Sequence, residues 1–511
     1  MKSLFKTVFL IIIFSGLTRL FGFIFRIWLS RTIGAEALGV YQISFSVFMV
    51  LLTLVSSGIP LIVSRITAKC SATKDKKTES KTVTTALILA LIISAVVSVI
   101  VVIFAGPISH IFADESCIIL LLVLLPALIF SSVYSTIRGS LWGKNNYLAC
   151  CSSELFEQVM RIIVCFILLC GIFPGISGEI GAALSLTIAC VLSCTFVTIW
   201  YFKTGGRFSK PDKKQYIDIL KTSSPITFMR VASSLIQPVV ALIIPLRLVA
   251  AGYTNAQALS LYGIASGMTL PLLYIPMTII ASLSFALVPD LASASAKNDE
   301  KYISQRVTTS IVFSLFVAFL VAPIFMGVGE LIGIFFFDNA TSGILLSASA
   351  WTIIPLCLTN ISSSILNAMG LELKSFKNYI LGAIIMLACI WFLPKYVGIN
   401  ALIWAMGGCF TTSALLNIRM IKKQVCPSLK ISKYFLKFIA ISIPVVALCS
   451  FVGSLLNLFM PLFFNLLITC LLGVLFFVLL CLVFNIFQFH AVMVWFKQNN
   501  PLKIHHRKKK V

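Results

Sequence analysis

Long apolar runs, separated by short polar segments with charged residues, glycine or proline, fill almost the whole chain. A helix that crosses a bilayer needs about 20 mostly apolar residues. Fourteen runs meet this length, at 6–29, 40–64, 82–104, 117–137, 147–172, 181–201, 222–249, 258–288, 304–326, 344–368, 376–394, 399–419, 433–458 and 461–488. The pattern predicts an all-α polytopic membrane protein with about 14 transmembrane helices and both termini on the same side.

The composition leaves no room for a sizeable soluble domain. Of the 511 residues, 59% are hydrophobic and 11% are charged, and the mean hydropathy is +1.05. The run from Thr7 to Leu29 contains Arg19 and Arg26 and is not followed by a small-residue cleavage site, so we expect a retained span and not a signal peptide. The 15 cysteines form no CxxC pair and no metal-ligand spacing, and we predict small apolar side chains for them.

The positive charge is distributed very unevenly about the predicted spans. The chain has 40 Lys and Arg against 16 Asp and Glu. Of the 40, 33 fall on the side of the N-terminus, three (Arg31, Arg247 and Lys395) on the opposite side and four within spans. Because basic residues concentrate on the cytoplasmic side, both termini are predicted to be cytoplasmic in a multi-pass protein of the cell (plasma) membrane. The dispersal over many loops indicates lipid headgroups and topology, and no nucleic-acid partner.

A weak internal repeat relates the two halves of the chain. A shift of 221 residues gives six identities in eighteen positions. The identical pairs are Arg26 with Arg247, Ala35 with Ala256, Ala37 with Ala258, Leu38 with Leu259, Tyr41 with Tyr262 and Ile43 with Ile264. Parallel repeats of this kind are typical of transporters that alternate access between two lobes.

The repeat predicts two parallel six-helix lobes followed by two additional helices. The predicted regions are an N-terminal lobe at 1–202, a cytoplasmic linker at 203–221, a C-terminal lobe at 222–419, additional spans 13 and 14 at 433–488 and a basic cytoplasmic tail at 489–511.

Four arginines are candidates for contact with an anionic substrate. Arg19 and Arg26 are seven residues apart in span 1, almost two helical turns, so they share one face. An arginine near the bilayer midplane costs at least ~2.5–3.5 kcal/mol, which favours an interior or water-filled setting. Arg230 lies within span 7 and Arg247 at its outer end, and this span is interrupted by prolines as transport sites often are. The alternatives are neutralisation by acidic partners and, for Arg26, snorkelling to the interface.

A second candidate is the charged face of span 5. Glu154, Glu157 and Arg161 follow an i, i+3, i+7 spacing and share one side of a helix. A direct Glu157–Arg161 pair would make the cluster structural. A surplus carboxylate at Glu154 would instead supply a proton or cation site, and a gate at the cytoplasmic mouth is the third reading.

Enzymatic activity finds no support in the motifs. The sequence has no GxxxxGK[ST] loop, no HExxH and no nucleophile elbow, which excludes an intrinsic ATPase. We therefore expect a protein that is not an enzyme, with no catalytic residues, no cofactor and no metal.

Several motifs in the first half resemble a known family. They are Thr18-Arg19-Leu20-Phe21-Gly22, the stretch from Ile33 to Gln42, Ser57-Gly58-Ile59-Pro60 and Glu157-Gln158-Val159-Met160-Arg161. They resemble the polysaccharide-exporter and lipid-linked-oligosaccharide flippase branch of the multidrug/oligosaccharidyl-lipid/polysaccharide exporter superfamily, nearest to stage V sporulation protein B-like proteins and lipid II flippases.

The resemblance implies two lobes around a central cavity and outward transport of an anionic polyprenyl-pyrophosphate-linked glycan, a peptidoglycan precursor of the spore cortex being one candidate. It implies a functional role for basic residues of the first helix, onto which Arg19 and Arg26 fall. Lipid II flippases also carry an arginine in helix 8, where this chain has Tyr262-Gly263-Ile264-Ala265-Ser266-Gly267. The expected partners are the glycan lipid, membrane lipids and cell-wall synthesis enzymes, with a monomeric chain.

Two other functions stay open. A cation-coupled multidrug or small-molecule antiporter could have the same fold, although such transporters are expected to use an acidic residue where span 1 offers arginine. A non-transporting membrane scaffold for cell-wall synthesis is the other alternative. Fold alone does not choose between them.

Overall fold

The computed structural model describes residues 2–112, 114–170, 175–426 and 431–484. These residues form α-helices, with one π-helix, one short 3-10 helix and no strand among them. The ends of predicted spans 5 and 14 and the whole predicted tail at 489–511 lie outside the described residues.

The helices of the first half have the following bounds. They are α1 Lys2–Ser56, α2 Ile59–Thr73, α3 Lys76–Ile103, α4 Ala105–Ser109, α5 Ser116–Gly143, α6 Tyr147–Leu169, α7 Gly178–Lys203, α8 Lys213–Ser234, α9 Ile236–Ala250 and α10 Asn255–Gly263. The π-helix Ile264–Thr269 then continues α10 into α11.

The helices of the second half follow. They are α11 Leu270–Leu273, α12 Ile275–Ala296, α13 Glu300–Phe337, α14 Ala340–Ser349, α15 Ile353–Ala368, α16 Glu372–Phe392, α17 Pro394–Val397, α18 Asn400–Gln424, α19 Ile431–Leu456 and α20 Leu462–Val483. The 3-10 helix Ala350–Thr352 joins α14 to α15.

Twelve helical segments of the described chain are long and apolar enough to cross a membrane. The first, Ile13–Thr73, covers two of the predicted spans. The helix α6, predicted as span 5, is not among the twelve, and it carries Glu154, Glu157 and Arg161. The all-helical membrane fold is thus confirmed, while the count of 14 and the orientation of the termini remain predictions.

The long helix α1 bends where its sequence allows it. Gly34 has φ +78° inside α1, a left-handed conformation that costs glycine little because it has no Cβ. Further on, α8 ends and α9 begins at Leu235, whose dihedral angles are still helical, and the π-helix replaces one turn of regular helix just before Pro271. These interruptions lie in predicted spans 7 and 8, where the sequence places its prolines.

The chain forms two compact units. The first comprises 1–271 and 389–402, and the second comprises 272–388 and 403–511. The helices α8, α9 and α10 thus belong to the first unit by contact, although the repeat assigns them to the C-terminal lobe. Since the predicted lobes are defined by the repeat and not by contact, their bounds remain a prediction.

In the first unit, the two segments related by the repeat pack against each other. Gly39 on α1 and Gly263 on α10 sit where the backbones meet, since a methyl group on Gly39 would overlap the Leu259 carbonyl oxygen and one on Gly263 would overlap that of Ala35. The matched leucines are both buried, Leu38 at 0% and Leu259 at 1% exposure. The second half of α1 is therefore held tightly and supports the side chains that it carries.

The second unit has its own core. The rings of Phe319, Phe438 and Phe477 stack in series, and α13 packs against α19 and α20. A buried polar network joins α15, α16 and α18, in which Asn378 donates to Asn417 and Asn417 donates to Ser362. Because these buried amide and hydroxyl groups pair with one another across three helices, we interpret the network as a structural element.

Candidate functional site

Two of the predicted arginines come together in the first unit. Arg26 is half-buried on α1, and Arg161 is half-buried on α6. They are close enough for their positive charges to repel each other. Two cations side by side in an apolar helix bundle are costly unless something compensates them, so their neighbours decide what the site does.

Arg161 is held by neutral groups. Its Nη2 donates a hydrogen bond of 2.5 Å to the hydroxyl of Tyr41. Its guanidinium carbon lies 5.1 Å from the ring centroid of Phe25 and 5.8 Å from that of Phe45. A ring face attracts a guanidinium without cancelling its charge. These contacts therefore fix Arg161 in place and leave its positive field intact.

Two donors of this cluster have no acceptor within the described residues. They are Nε of Arg161 and Nε2 of Gln158, one turn earlier on α6, and both atoms are buried. An unmet buried donor costs about 1–3 kcal/mol. An arrangement of fixed cations with unmet donors is the kind of environment that binds an anion with several acceptor oxygens.

The acidic residues of α6 divide into one that is paired and one that is not. Glu154 Oε2 forms an ion pair of 2.9 Å with Arg138 Nη2 on α5. Glu157 makes no ion pair within 4.0 Å in the described part of the chain, although Arg161, Arg138 and Glu154 all act on it electrostatically. Among the described residues, the carboxylate without an ion pair is therefore Glu157, whereas the spacing suggested a Glu157–Arg161 pair and a surplus carboxylate at Glu154. The functional role of the three residues remains a prediction.

The other predicted arginines have separate surroundings. Arg19 is exposed on α1, and Arg230 is exposed on α8. Arg247 on α9 donates from Nε to the backbone oxygen of Trp391 at 2.9 Å and stacks 4.8 Å from the Trp391 ring centroid. Trp391 therefore fixes the direction of the side chain. A substrate contact by Arg247 remains a prediction.

Three contributors to the cluster were not predicted as site residues. Tyr41 appeared in the internal repeat and inside a family motif, Gln158 appeared inside a family motif, and Arg138 was one of the 33 basic residues on the side of the N-terminus. The signal available was that Gln158 and Arg161 share an α6 face, which the i, i+3 spacing shows. The contact between Tyr41 and Arg161 joins residues 120 positions apart, and nothing in the local sequence indicates it.

The comparisons with known proteins agree with the membrane fold. The family model for "Polysaccharide biosynthesis protein" matches residues 4–295, more than half of the chain. The chain belongs to the polysaccharide biosynthesis protein family. The match covers nearly all of α1 and the whole of α6, α8 and α9, so all of the candidate residues lie within it.

Two curated relatives come from Bacillus subtilis (strain 168). Stage V sporulation protein B is 24% identical over 460 residues, covering 87% of this chain and 88% of that protein. The lipid II flippase MurJ is 21% identical over 465 residues, covering 84% of each chain. A solved structure of MurJ in the inward closed conformation has a TM-score of 0.73 at 18% identity, covering 93% of this chain and 98% of that one.

These relatives confirm the family resemblance drawn from the motifs. Both curated relatives match over most of their length, so the similarity concerns the whole membrane domain. The chain is a multi-pass membrane protein of a transport family and not an enzyme. At 18% identity, the structural match shows the shared fold alone.

Proposed function

We propose that this protein is a flippase that moves an anionic polyprenyl-pyrophosphate-linked glycan from the inner to the outer leaflet by alternating access. The observation that carries the proposal is the Arg26–Arg161 cluster, where two half-buried cations lie near each other and Arg161 is held by a tyrosine hydroxyl and two aromatic rings. Kinship with a flippase of lipid II supports the substrate class. As the glycan we propose a peptidoglycan precursor, for the spore cortex or for another wall layer, because one relative is a lipid II flippase and the other a stage V sporulation protein.

The chemistry follows from the charge of the headgroup. A pyrophosphate offers several anionic oxygens, and guanidinium groups bind such oxygens with strong, directed hydrogen bonds. Arg26 and Arg161 would receive the headgroup, and the unmet Nε of Arg161 and Nε2 of Gln158 would gain acceptors. Outward movement of each net negative charge is favoured by an inside-negative potential at about 2.3 kcal/mol per 100 mV, so ATP is not required.

The remaining candidates take different roles in this proposal. Arg19 and Arg230, both exposed, would contact the substrate on its path, and Arg247 would do so from its position against Trp391. Glu154 is structural because it neutralises Arg138. The monomeric state, cytoplasmic termini and contact with cell-wall synthesis enzymes belong to the same proposal.

Cation-coupled export is a second candidate because one carboxylate in this region has no ion-pair partner. Glu157 on α6 is that group among the described residues. A buried carboxylate that can take up a proton or cation is what a coupled transporter needs. In this case the transported species would be a small organic cation.

The deciding experiment reconstitutes the full chain in proteoliposomes and measures flipping of a fluorescent polyprenyl-pyrophosphate disaccharide. Because a charge-assisted hydrogen bond contributes about 1.5–3 kcal/mol, we expect Arg26→Ala to slow flipping roughly 10–100-fold, and Arg19→Ala to slow it as well. The controls Lys395→Ala and Arg65→Ala each remove an exposed cation outside the cluster and should leave flipping unchanged.

Two outcomes would count against the flippase. One is unaltered flipping in both Arg19→Ala and Arg26→Ala. The other is the absence of flipping by the wild-type protein together with robust cation-driven export of small organic cations, which would favour the antiporter.

A further inference from the structure

A hydroxyl-rich cleft lies in the first unit, where α1 ends and α2 begins. Its volume is about 490 Å³, and it is shallow and widely open to its surroundings. Five hydroxyl residues surround one arginine, and the lining includes Thr53, Ser56 and Ser57 from the α1–α2 junction and Arg230, Ser233 and Ser234 from α8. None of these lining residues is acidic, so the cleft has a net positive charge.

Two of the hydroxyl groups lack hydrogen-bond partners. Ser57 is only 7% exposed. The Oγ atoms of Ser56 and Ser57 are both buried and have no partner in the described chain. Both oxygens are covered by protein, so reaching a ligand takes a rotation about the Cα–Cβ bond. A buried hydroxyl without a partner lowers the free energy of unfolding of the protein, and a ligand acceptor in the cleft would offset this cost.

The other three hydroxyl groups donate to their own helices. Thr53 donates to the Met49 carbonyl at 2.7 Å, Ser233 to Met229 at 2.8 Å and Ser234 to Val231 at 3.0 Å. A hydroxyl group can rotate, so each of these three can donate to a ligand when one is bound and to its backbone carbonyl when none is bound. Ser56 and Ser57, which have no such backbone acceptor, are therefore the first donors that we assign to a ligand.

The positive field in the cleft has two sources. Arg230 is exposed and makes no ion pair within 4.0 Å in the described residues. The 15-residue helix α2 begins two positions after Ser57, and its N-cap, Gly58, gives no side-chain cap. The N-terminus of a helix carries partial positive charge and free N–H groups. Both sources favour an anion.

The lack of a side chain at Gly58 brings the two walls of the cleft together. A methyl group at this position would overlap the Thr227 hydroxyl and the Ser223 carbonyl, both on α8. The α1–α2 junction and α8 therefore pack at van der Waals distance just beside the cleft. The cleft thus has one wall with the unmet serine donors and a facing wall with the arginine.

We propose that this cleft is a phosphoryl-binding subsite, with Arg230 as the charged anchor and Ser56 and Ser57 as hydroxyl donors. Its ligand is a phosphate or diphosphate group, which comes either from a lipid headgroup or from a soluble anion. The headgroup source rests on the proposed flippase function, and there the cleft is a second phosphoryl site besides the Arg26–Arg161 cluster. Binding of the phosphoryl group itself does not depend on flipping.

The test measures binding to the full chain in lipid nanodiscs by isothermal titration calorimetry. The probes are inorganic diphosphate, farnesyl diphosphate and farnesol. We expect both diphosphates to bind the wild-type protein. We further expect Arg230→Gln to weaken the binding at least tenfold and Ser57→Ala about three- to tenfold, since each removes a donor to the anion.

Matched controls come from exposed residues on α2. Arg65→Gln removes the same charge and Ser71→Ala the same hydroxyl outside the cleft, and both should bind like the wild type. Arg230→Lys, which keeps the charge but not the fork of donors, should be intermediate. A much tighter Kd for farnesyl diphosphate than for inorganic diphosphate, with no signal from farnesol, identifies a lipid headgroup, whereas equal affinities identify a soluble anion.

The outcomes separate this proposal from the flippase. If the wild type binds neither diphosphate, or if Arg230→Gln behaves like Arg65→Gln, the subsite is refuted, even where Arg26→Ala abolishes flipping. If diphosphate binding depends on Arg230 while the wild type flips no glycan lipid, the subsite stands and the flippase function falls.

Discussion

Two regions of the first unit differ in how their charged side chains are compensated. At the start of α3, Lys144 Nζ lies 2.5 Å from Glu79 Oε1 and 5.2 Å from the ring centroid of Tyr201. These charged side chains are 17% and 11% exposed, and each sign has its partner. In the Arg26–Arg161 cluster, the contacts of Arg161 come from a hydroxyl group and two rings.

The difference indicates which charges stabilise the fold and which remain available to bind a ligand. A matched ion pair has little field left for a ligand, and breaking it leaves a buried charge unpaired. A cation held by neutral groups keeps its field, and its removal relieves repulsion instead. The Glu79–Lys144 pair should therefore govern stability, whereas the Arg26–Arg161 cluster should govern transport.

The largest expected effect is on the paired region. Lys144→Met leaves the buried Glu79 without its cation. We expect the free energy of unfolding to fall by about 3–5 kcal/mol, measured by chemical unfolding of the purified protein in detergent. The double variant Glu79→Gln with Lys144→Met should recover much of the loss. Equal destabilisation by the single and double variants would show that packing, and not the ion pair, matters here.

The next effect separates transport from stability. Arg161→Gln removes a cation that has no ion pair within 4.0 Å among the described residues. We expect flipping to fall about tenfold or more, because a charge-assisted contact to the headgroup is lost, while the free energy of unfolding changes by less than about 1 kcal/mol. Arg65→Gln is the matched control. A loss of several kcal/mol in stability would place Arg161 with the structural charges.

The sequence predicted the helical membrane fold well because burial in lipid requires apolar runs, and such runs are visible without a structure. It also singled out Arg26, Arg161 and Glu157, since a charge inside an apolar run is conspicuous. Their partners could not be predicted in the same way. Whether Arg161 meets Glu157 or Tyr41 depends on how α1 and α6 cross, and spacing along one helix contains no information about a second helix.

The cleft at the α1–α2 junction likewise shows that residues can be singled out from the sequence while their contacts cannot. The motif Ser57-Gly58-Ile59-Pro60 was apparent as a family motif, and Arg230 as a charge in a predicted span. Their juxtaposition depends on the close approach of α8 to Gly58, which is a property of tertiary packing. Serine side chains are common in membrane helices, so the unmet donors of Ser56 and Ser57 become informative only once their surroundings are known.

The smallest expected effect comes from removing a single atom of the Arg26–Arg161 cluster, the hydroxyl oxygen of Tyr41. Tyr41→Phe keeps the ring and removes the hydroxyl that accepts the hydrogen bond from Arg161. A typical hydrogen bond contributes about 0.5–1.5 kcal/mol, so we expect Arg161 to lose some of its fixed orientation and flipping to fall about two- to tenfold. The matched control is Tyr262→Phe, because Tyr262 occupies the equivalent place in the repeat and is also buried, at 5% exposure.

The contrast between these two tyrosines is the informative measurement. The Tyr262 side chain is also buried, and the group that acts on its hydroxyl among the described residues is the Ser266 side chain and not an arginine. If both variants slow flipping equally, the effect of Tyr41 comes from packing of α1 against α10, and the hydrogen bond to Arg161 has no role of its own. If only Tyr41→Phe does so, one neutral hydroxyl positions the cation for the substrate, as expected for a site that leaves its positive charge to the ligand.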